Sequence, residues 1–95
     1  MALRTAVFEP EKHFATSAAQ RELLRDAFAT GDAGYIADAL GIIARVRGVT
    51  EVAEAAGLTR MALYKGLVKD GDPKLSTFLN VLKAIGFEIA LKKAA

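Results

Sequence analysis

Residues 49–68 read VTEVAEAAGLTRMALYKGLV and carry the strongest structural signal in the chain. They predict two short helices joined by a tight bend, because Gly57 tolerates the positive φ angle that such a bend requires. Ala53 is small enough for the two helix backbones to approach each other closely. The positions that would lock the pair together are apolar: Val52, Ala56, Leu58 and Leu63. This spacing is typical of a helix-turn-helix, whose second helix presents its outer face to the major groove of DNA.

The outer face of the second helix is predicted to carry the DNA contacts. Thr59 is expected to cap this helix, which we predict over residues 60–67. The side chains expected on its outer face are Arg60, Met61, Tyr64 and Lys65. An arginine can bond bidentately to guanine, and an apolar group can contact the thymine methyl. A threonine and the N–H groups at a helix start can hold a phosphate, and Lys69 and Lys74 follow nearby as further phosphate contacts.

Two alternatives stay open for this stretch. The helix pair could be an ordinary hairpin with a solvated basic face, and Tyr64 could be a partly buried packing residue instead of a DNA contact. Glu51 and Glu54 lie on the first helix, where they would repel phosphate if they faced it. We therefore expect these two carboxylates to point sideways.

Capping and stop signals along the rest of the chain complete a mainly all-α domain. The first predicted helix begins at Ser17, in a capping box with Gln20, and stops at Gly31, and the second runs from Asp32 to a stop at Gly48. The third covers 51–56 with Thr50 as its cap, and the fourth covers 60–67. The fifth runs from Leu75 to a stop at Gly86. We find no internal repeat and no linker, so residues 1–95 are read as one domain.

The two ends of the chain are predicted to be non-helical. Residues 1–16 form an N-terminal extension that is irregular or briefly extended. Residues 87–92 alternate apolar and polar side chains, which predicts a short, half-buried β-strand. Because a lone strand leaves an unpaired edge, we expect it to pair across a two-fold axis with a second subunit, or with residues 3–8 of the same chain.

Composition excludes several classes of protein. The chain has 95 residues, no cysteine, two prolines and 19 alanines, which favours one small helical domain without disulfides or cysteine-based zinc sites. No apolar run approaches the roughly 18 residues of a membrane span. The N-terminus lacks the apolar core of a signal peptide, so we expect a cytoplasmic protein that makes no membrane contact.

The charges are divided unevenly between the two halves. Residues 1–44 carry four Lys or Arg against six Asp or Glu, a net charge of −2, whereas residues 45–95 carry nine against five, a net charge of +4. The cationic surplus therefore lies in the half that contains the helix-turn-helix. This division points to two different partner surfaces, and the alternative is an ordinary solvated surface on which the charges are mixed.

No enzyme is expected from this sequence. His13 is the sole histidine, and no Ser-His-Asp arrangement or glycine-rich phosphate loop is present. Asp70 and Asp72 flank Gly71, but the distal glutamate of a calcium loop is missing, so a polar turn is the better interpretation. We accordingly predict no catalytic residue, no metal site and no cofactor.

The chain resembles a known family over roughly residues 8–92. It is similar to the short HigA-like antidote proteins of bacterial addiction modules, which carry a lambda-repressor-like (Cro-type, XRE) helix-turn-helix domain. The stretches that carry the resemblance are Phe8-Glu9-Pro10, Thr30-Gly31-Asp32, residues 39–48, Gly57-Leu58-Thr59-Arg60, Leu63-Tyr64-Lys65, residues 81–86 and the terminal strand. The chain departs from the pattern at Gly66, which leaves Leu67 to supply the packing there, and at Lys74-Leu75, where a Ser or Thr cap is usual.

The resemblance implies two activities for the protein. Such proteins neutralise a small basic toxin encoded beside them, commonly a RelE/HigB-like mRNA endonuclease, and repress their own promoter as homodimers on double-stranded operator DNA. The implied DNA contacts are Thr50, Thr59, Arg60, Met61, Tyr64 and Lys65. The segment up to about Phe28, which lies outside the helix-turn-helix, is the expected toxin face. The alternatives are a stand-alone or phage-type repressor without a toxin, and a toxin-binding module whose helix-turn-helix no longer binds DNA.

Overall fold

A computed structural model of the protein describes residues 10–94. Its elements are α1 (Pro10–His13), α2 (Ser17–Thr30), α3 (Ala33–Arg47), α4 (Val49–Ala56), α5 (Arg60–Gly66) and α6 (Leu75–Ala84). The predicted all-α class is therefore confirmed, and α2 to α6 are the five helices expected from sequence. The one-turn helix α1 was not predicted, and the expected extended stretch near residues 3–8 lies outside the described residues.

Several helix ends follow from their capping residues as predicted. Gly31 adopts a left-handed conformation with φ of 70° after α2. Asp32 then caps α3, because its Oδ1 accepts hydrogen bonds from the backbone N–H of Gly34 at 2.9 Å and of Tyr35 at 3.2 Å. These local bonds satisfy backbone donors that a helix start otherwise leaves unpaired.

The N-cap predicted for α2 lies one residue away from the observed N-cap. Thr16, not Ser17, is the N-cap, and its Oγ1 accepts a hydrogen bond from Ala19 N at 3.1 Å. Gln20 does not complete a capping box, because its side chain is buried and bonded elsewhere. Its Nε2 donates to the carbonyl of Phe14 at 2.9 Å, and its Oε1 accepts from Arg47 Nε at 2.8 Å.

The predicted cap of α4 is also wrong. Gly48 is the N-cap, with φ of 116°, and Thr50 lies inside the first turn of the helix. Gly48 N still donates to Ala44 O of α3 at 2.9 Å, so the chain turns from one helix into the next at a single residue. Glycine permits this bend because it lacks the Cβ that disfavours positive φ.

Helix α3 is the centre of the domain and contacts each of the other five helices. Its side chains Leu40 and Ile43 are fully buried, as are Val81 and Ile85 from α6 and its end. The remaining large apolar side chains of the core come from neighbouring helices: Leu23, Leu24, Val52, Leu63, Leu67 and Leu82. The α4–α5 pair is thus fixed to a single core, which sets the direction in which α5 faces.

A row of small residues on α3 brings the chain that follows α5 into direct backbone contact. Gly34, Ala37 and Gly41 lie at helical spacing on one face. A Cβ on Gly34 would come within 2.9 Å of Asp70 Cα, and a Cβ on Gly41 would overlap the carbonyl oxygen of Leu67. The segment 67–70 therefore lies against α3, and this contact fixes the end of α5.

The expected terminal strand is not formed in the described part of the chain. After α6, Phe87 N donates to Leu82 O at 3.1 Å, and no hydrogen bond joins residues 88–94 to any of residues 10–94. A strand requires a second backbone to bond, and none of residues 10–94 supplies one for this segment. Residues 87–92 are accordingly irregular, which corrects the sequence-based expectation.

Among residues 10–94, no helix is both long enough and apolar enough to cross a membrane.

Candidate nucleic-acid interface

The α4–α5 pair has the tight geometry that its sequence predicts. Gly57 has φ of 73°, and its N–H donates to Glu54 O at 3.1 Å. Leu58 N donates to Ala53 O at 2.8 Å, which closes the end of α4. Thr59 then caps α5, because its Oγ1 accepts from Ala62 N at 3.0 Å. Two helices are thus joined by three residues, each with a defined hydrogen-bonding role.

Helix α5 is anchored from one side and exposed on the other. Leu63 is 1% exposed and Leu67, just after the helix, is fully buried, as expected for a chain with glycine at position 66. The opposite face carries the side chains predicted from sequence: Arg60, Met61, Tyr64 and Lys65. Because residues four apart are neighbours on a helix, these four form one continuous surface.

The remaining predicted contacts lie on either side of α5. Thr59 is exposed at its start, Thr50 is exposed in the first turn of α4, and Lys69 is exposed in the segment after α5. Neither Thr50 nor Lys69 forms a hydrogen bond or an ion pair with another described residue through its side chain. The structure brings the α5 residues together on one surface, and it places Thr50 and Lys69 on separate neighbouring elements.

Tyr64 orients Arg60 on this surface. The guanidinium carbon of Arg60 lies 5.9 Å from the centroid of the Tyr64 ring, within the range of a cation–π contact. Tyr64 is 40% exposed, so it is available to a partner as well as to Arg60. Met61 is 77% exposed, so this apolar side chain contributes little to the core and is accessible to a partner.

The cations of this surface are not neutralised within the described part of the protein. Arg60, Lys65 and Lys69 have no carboxylate of residues 10–94 within 4.0 Å, whereas Arg25 on α2 lies 3.7 Å from Glu22. Unpaired cations on one surface produce a positive potential that attracts an anionic partner. The α5 surface therefore combines positive charge with exposed apolar and aromatic groups.

The carboxylate of Glu51 lies against Gly48 at the start of α4, which differs from the sideways orientation expected from sequence. A Cβ on Gly48 would collide with Glu51 Oε1. A glutamate three residues after the N-cap commonly folds back over a helix start, where unpaired N–H groups favour negative charge. Thr50 therefore has an acidic neighbour at the point where a phosphate contact was expected.

A side-chain hydrogen bond joins α2 to α3 on another part of the protein. The Tyr35 hydroxyl donates to Asp26 Oδ2 at 2.8 Å. This bond raises the pKa of Tyr35, because ionisation would break it, and desolvation and the charges of Asp26 and Asp38 act in the same direction. No group of three His, Cys, Asp or Glu side chains within residues 10–94 is placed to hold a metal ion.

Three features of the structure were not predicted from the sequence. They are the contact of Gly41 with Leu67, the position of the Glu51 carboxylate and the Gln20–Arg47 bond. The presence of two glycines and an alanine on one face of α3 was the available signal for the first. We find no sequence signal for the third.

Comparison with known proteins identifies the family. A family model described as a probable addiction module antidote protein matches residues 4–93. A Haemophilus influenzae relative, described as an uncharacterized protein, is 29% identical over 87 residues, which cover 92% of this chain and 90% of the relative. No solved structure matches the chain. Because the family model matches nearly the whole chain, the protein belongs to the family of probable addiction module antidote proteins.

Proposed function

We propose that the protein is the antitoxin of a type II toxin–antitoxin module and that it represses its own promoter by binding operator DNA. Membership of an antidote family implies a toxin partner, and we take this partner to be a small basic RelE/HigB-like mRNA endonuclease. The observation that carries the DNA-binding part is the exposed face of α5, on which unpaired cations lie beside Met61 and Tyr64.

In this proposal α5 is the recognition helix of a lambda-repressor-like domain. It lies in the major groove, where Arg60 can bond bidentately to guanine and Met61 can contact a thymine methyl. The cation–π contact with Tyr64 limits the rotamers of Arg60 before binding, so less conformational entropy is lost on the DNA. Thr59 accepts a bond from Ala62 N and retains its hydroxyl proton for a phosphate.

The cationic residues around α5 supply the part of the DNA affinity that does not depend on the base sequence. Lys65 and Lys69 contact phosphates, with Thr50 as a further phosphate contact on α4. A homodimer would place two copies of α5 about 34 Å apart, which fits a palindromic operator with half-sites one helical turn apart. The proposed toxin surface is the acidic first half of the chain, which would attract a basic toxin.

Replacing Arg60 by alanine tests whether α5 recognises the base sequence of DNA. Arg60→Ala is expected to lower discrimination between the protein's own upstream DNA and scrambled DNA by about 1–3 kcal/mol, because a bidentate contact to guanine is lost. The measurement is fluorescence anisotropy with both DNAs over a range of salt concentrations. Lys69→Ala is the matched variant, which should weaken both complexes alike and lower the salt dependence.

Two outcomes would contradict DNA reading by α5. In one, the unaltered protein binds operator and scrambled DNA equally. In the other, Arg60→Ala keeps full discrimination while Arg25→Ala, on α2, loses it. Either result would show that α5 does not make the base-specific contact with DNA.

The position of the Glu51 carboxylate leads to a second prediction. Glu51→Gln is expected to bind DNA about two- to tenfold more tightly, because it removes a negative charge from the start of α4, beside the proposed phosphate contact of Thr50. Anisotropy with operator DNA gives the change, and Glu22→Gln on α2 is the control expected to have no effect. Unchanged or weaker binding by Glu51→Gln would show that α4 does not approach the DNA backbone.

Co-expression tests the antitoxin part of the proposal. The product of the adjacent gene should inhibit growth when produced alone, and growth should recover when this chain is produced with it. The two proteins should also co-purify. If the neighbour is neither toxic nor bound, while DNA binding is retained, the protein is a stand-alone repressor.

A further inference from the structure

The outer side of α6 carries more apolar surface than the core covers. Val81 and Leu82 of this helix are buried, whereas Leu75 is 70% exposed and Leu79 is 45% exposed. Since residues four apart are neighbours on a helix, Leu75 and Leu79 form one exposed strip beside the buried face. Large apolar side chains that cluster at the surface in this way mark sites of interaction.

Side chains of α2 and α3 extend this strip into a groove. The exposed ring of Phe28, near the end of α2, lies 6.1 Å from the ring of Phe78 in an edge-to-face contact. Next to Phe78 a groove of about 230 Å³ lies between α3 and the start of α6. Its walls are mainly apolar and consist of Ala33, Ile36, Ala37, Pro73, Leu75 and Phe78, together with Asp72. The groove is smaller than the roughly 300–1,000 Å³ of pockets for small molecules, so it suits a side chain of a protein partner.

The charges at the rim of the groove are negative. Asp72 lines it, and Asp32 immediately precedes Ala33, which also lines it. Both carboxylates are exposed, and neither forms an ion pair with any described Lys or Arg. Lys74, two residues after Asp72, lines another cleft with Lys65 beside α5. The groove is therefore apolar at its centre and negative at its rim.

We propose that this groove is the docking site for a basic segment of the toxin. The segment inserts an apolar side chain beside Leu75 and Phe78, and its Lys or Arg residues approach Asp32 and Asp72. Complementarity of charge favours this occupant. The inference rests on the proposed function, and it narrows the proposed toxin surface to the place where the acidic first half of the chain meets α6.

A second copy of the chain fits the groove less well than a basic partner does. A two-fold contact brings the same patch of both copies together. The carboxylates of both rims would then enter one interface, and the residues that line the groove include no cation to pair with them. Like charges brought together in an interface oppose association.

Two single variants test the two parts of the groove. Leu75→Ala removes apolar surface and Asp72→Lys reverses a rim charge, and both residues are exposed, so neither change should unfold the chain. The probe is the purified product of the adjacent gene, and titration calorimetry with the full chain measures its affinity over a range of salt concentrations. Each variant is expected to weaken the complex about tenfold. Only Asp72→Lys should also lower the salt dependence, because salt screens exposed charges.

Matched variants outside the groove serve as controls. Leu91→Ala removes a leucine that is 97% exposed on the segment after α6. Glu22→Lys reverses an exposed acidic charge on α2. Neither residue lines the groove, so both variants should bind the product of the adjacent gene like the unaltered chain.

Four results would overturn the inference. If Leu75→Ala and Asp72→Lys bind as tightly as the unaltered chain, the groove is not the docking site, although the antitoxin role would stand. If Glu22→Lys weakens the complex and Asp72→Lys does not, the toxin lies on α2 instead. If sedimentation equilibrium shows that Leu75→Ala impairs self-association while the toxin affinity is kept, a second copy occupies the groove. A product that does not bind the unaltered chain would overturn the antitoxin proposal and this inference together.

Discussion

Gly41→Ala is expected to lower the free energy of unfolding by about 3 kcal/mol, the upper end of the usual range for overpacking a core. The new Cβ would overlap the carbonyl oxygen of Leu67 and lie 3.1 Å from its carbonyl carbon. A backbone atom cannot rotate away as a side-chain tip can. The helix α3 and the segment after α5 would therefore have to separate, which disturbs the fully buried Leu67.

A second glycine provides the matched control for this prediction. A Cβ on Gly66 would lie 3.4 Å from the Cβ of Pro73, which is an ordinary contact. Gly66→Ala is therefore expected to leave stability unchanged or to raise it by up to about 1 kcal/mol, because alanine favours a helix more than glycine does. Urea denaturation followed by circular dichroism compares the two variants. Equal stability of both would show that α3 and the segment 67–70 do not touch at Gly41.

The secondary structure was predictable because its signals are local. Left-handed glycines at 31 and 57 and side-chain caps at Asp32 and Thr59 each act within four residues, and all four occur as the sequence indicates. The errors at Ser17 and Thr50 are of one or two positions. In each case a residue one or two positions earlier, Thr16 or Gly48, is the N-cap, and propensity alone does not distinguish candidates that close together.

Features that depend on distant residues could not be predicted in the same way. The exposed face of α5 follows from helical spacing, so the grouping of Arg60 with Tyr64 was accessible from sequence. The Glu51 carboxylate lies against Gly48 because Gly48, and not Thr50, is the N-cap of α4, so its place could be predicted only once that cap was known. The terminal segment shows the limit most clearly, because alternation predicts a strand but cannot supply the second backbone that a strand needs.

Leu63→Ala is expected to have the largest effect of any change within α5. The helix has seven residues, too few to be stable alone, and Leu63 is the buried side chain that holds it to the core. Truncation of a fully buried leucine removes apolar contacts and leaves a cavity, which costs about 2–5 kcal/mol. Thermal and urea denaturation should show the loss, and operator affinity should fall with it because α5 is no longer held in place.

Met61→Ala separates the anchoring of α5 from its proposed contact with DNA. Met61 is two residues away on the same helix but 77% exposed, so its truncation should change stability by less than about 0.5 kcal/mol. Its expected effect is on operator affinity alone, through the proposed contact with thymine. If Met61→Ala destabilised the protein as much as Leu63→Ala, the inner and outer faces of α5 would be assigned wrongly. If Leu63→Ala kept full operator affinity at a temperature where it is unfolded, recognition would not require an anchored α5 at all.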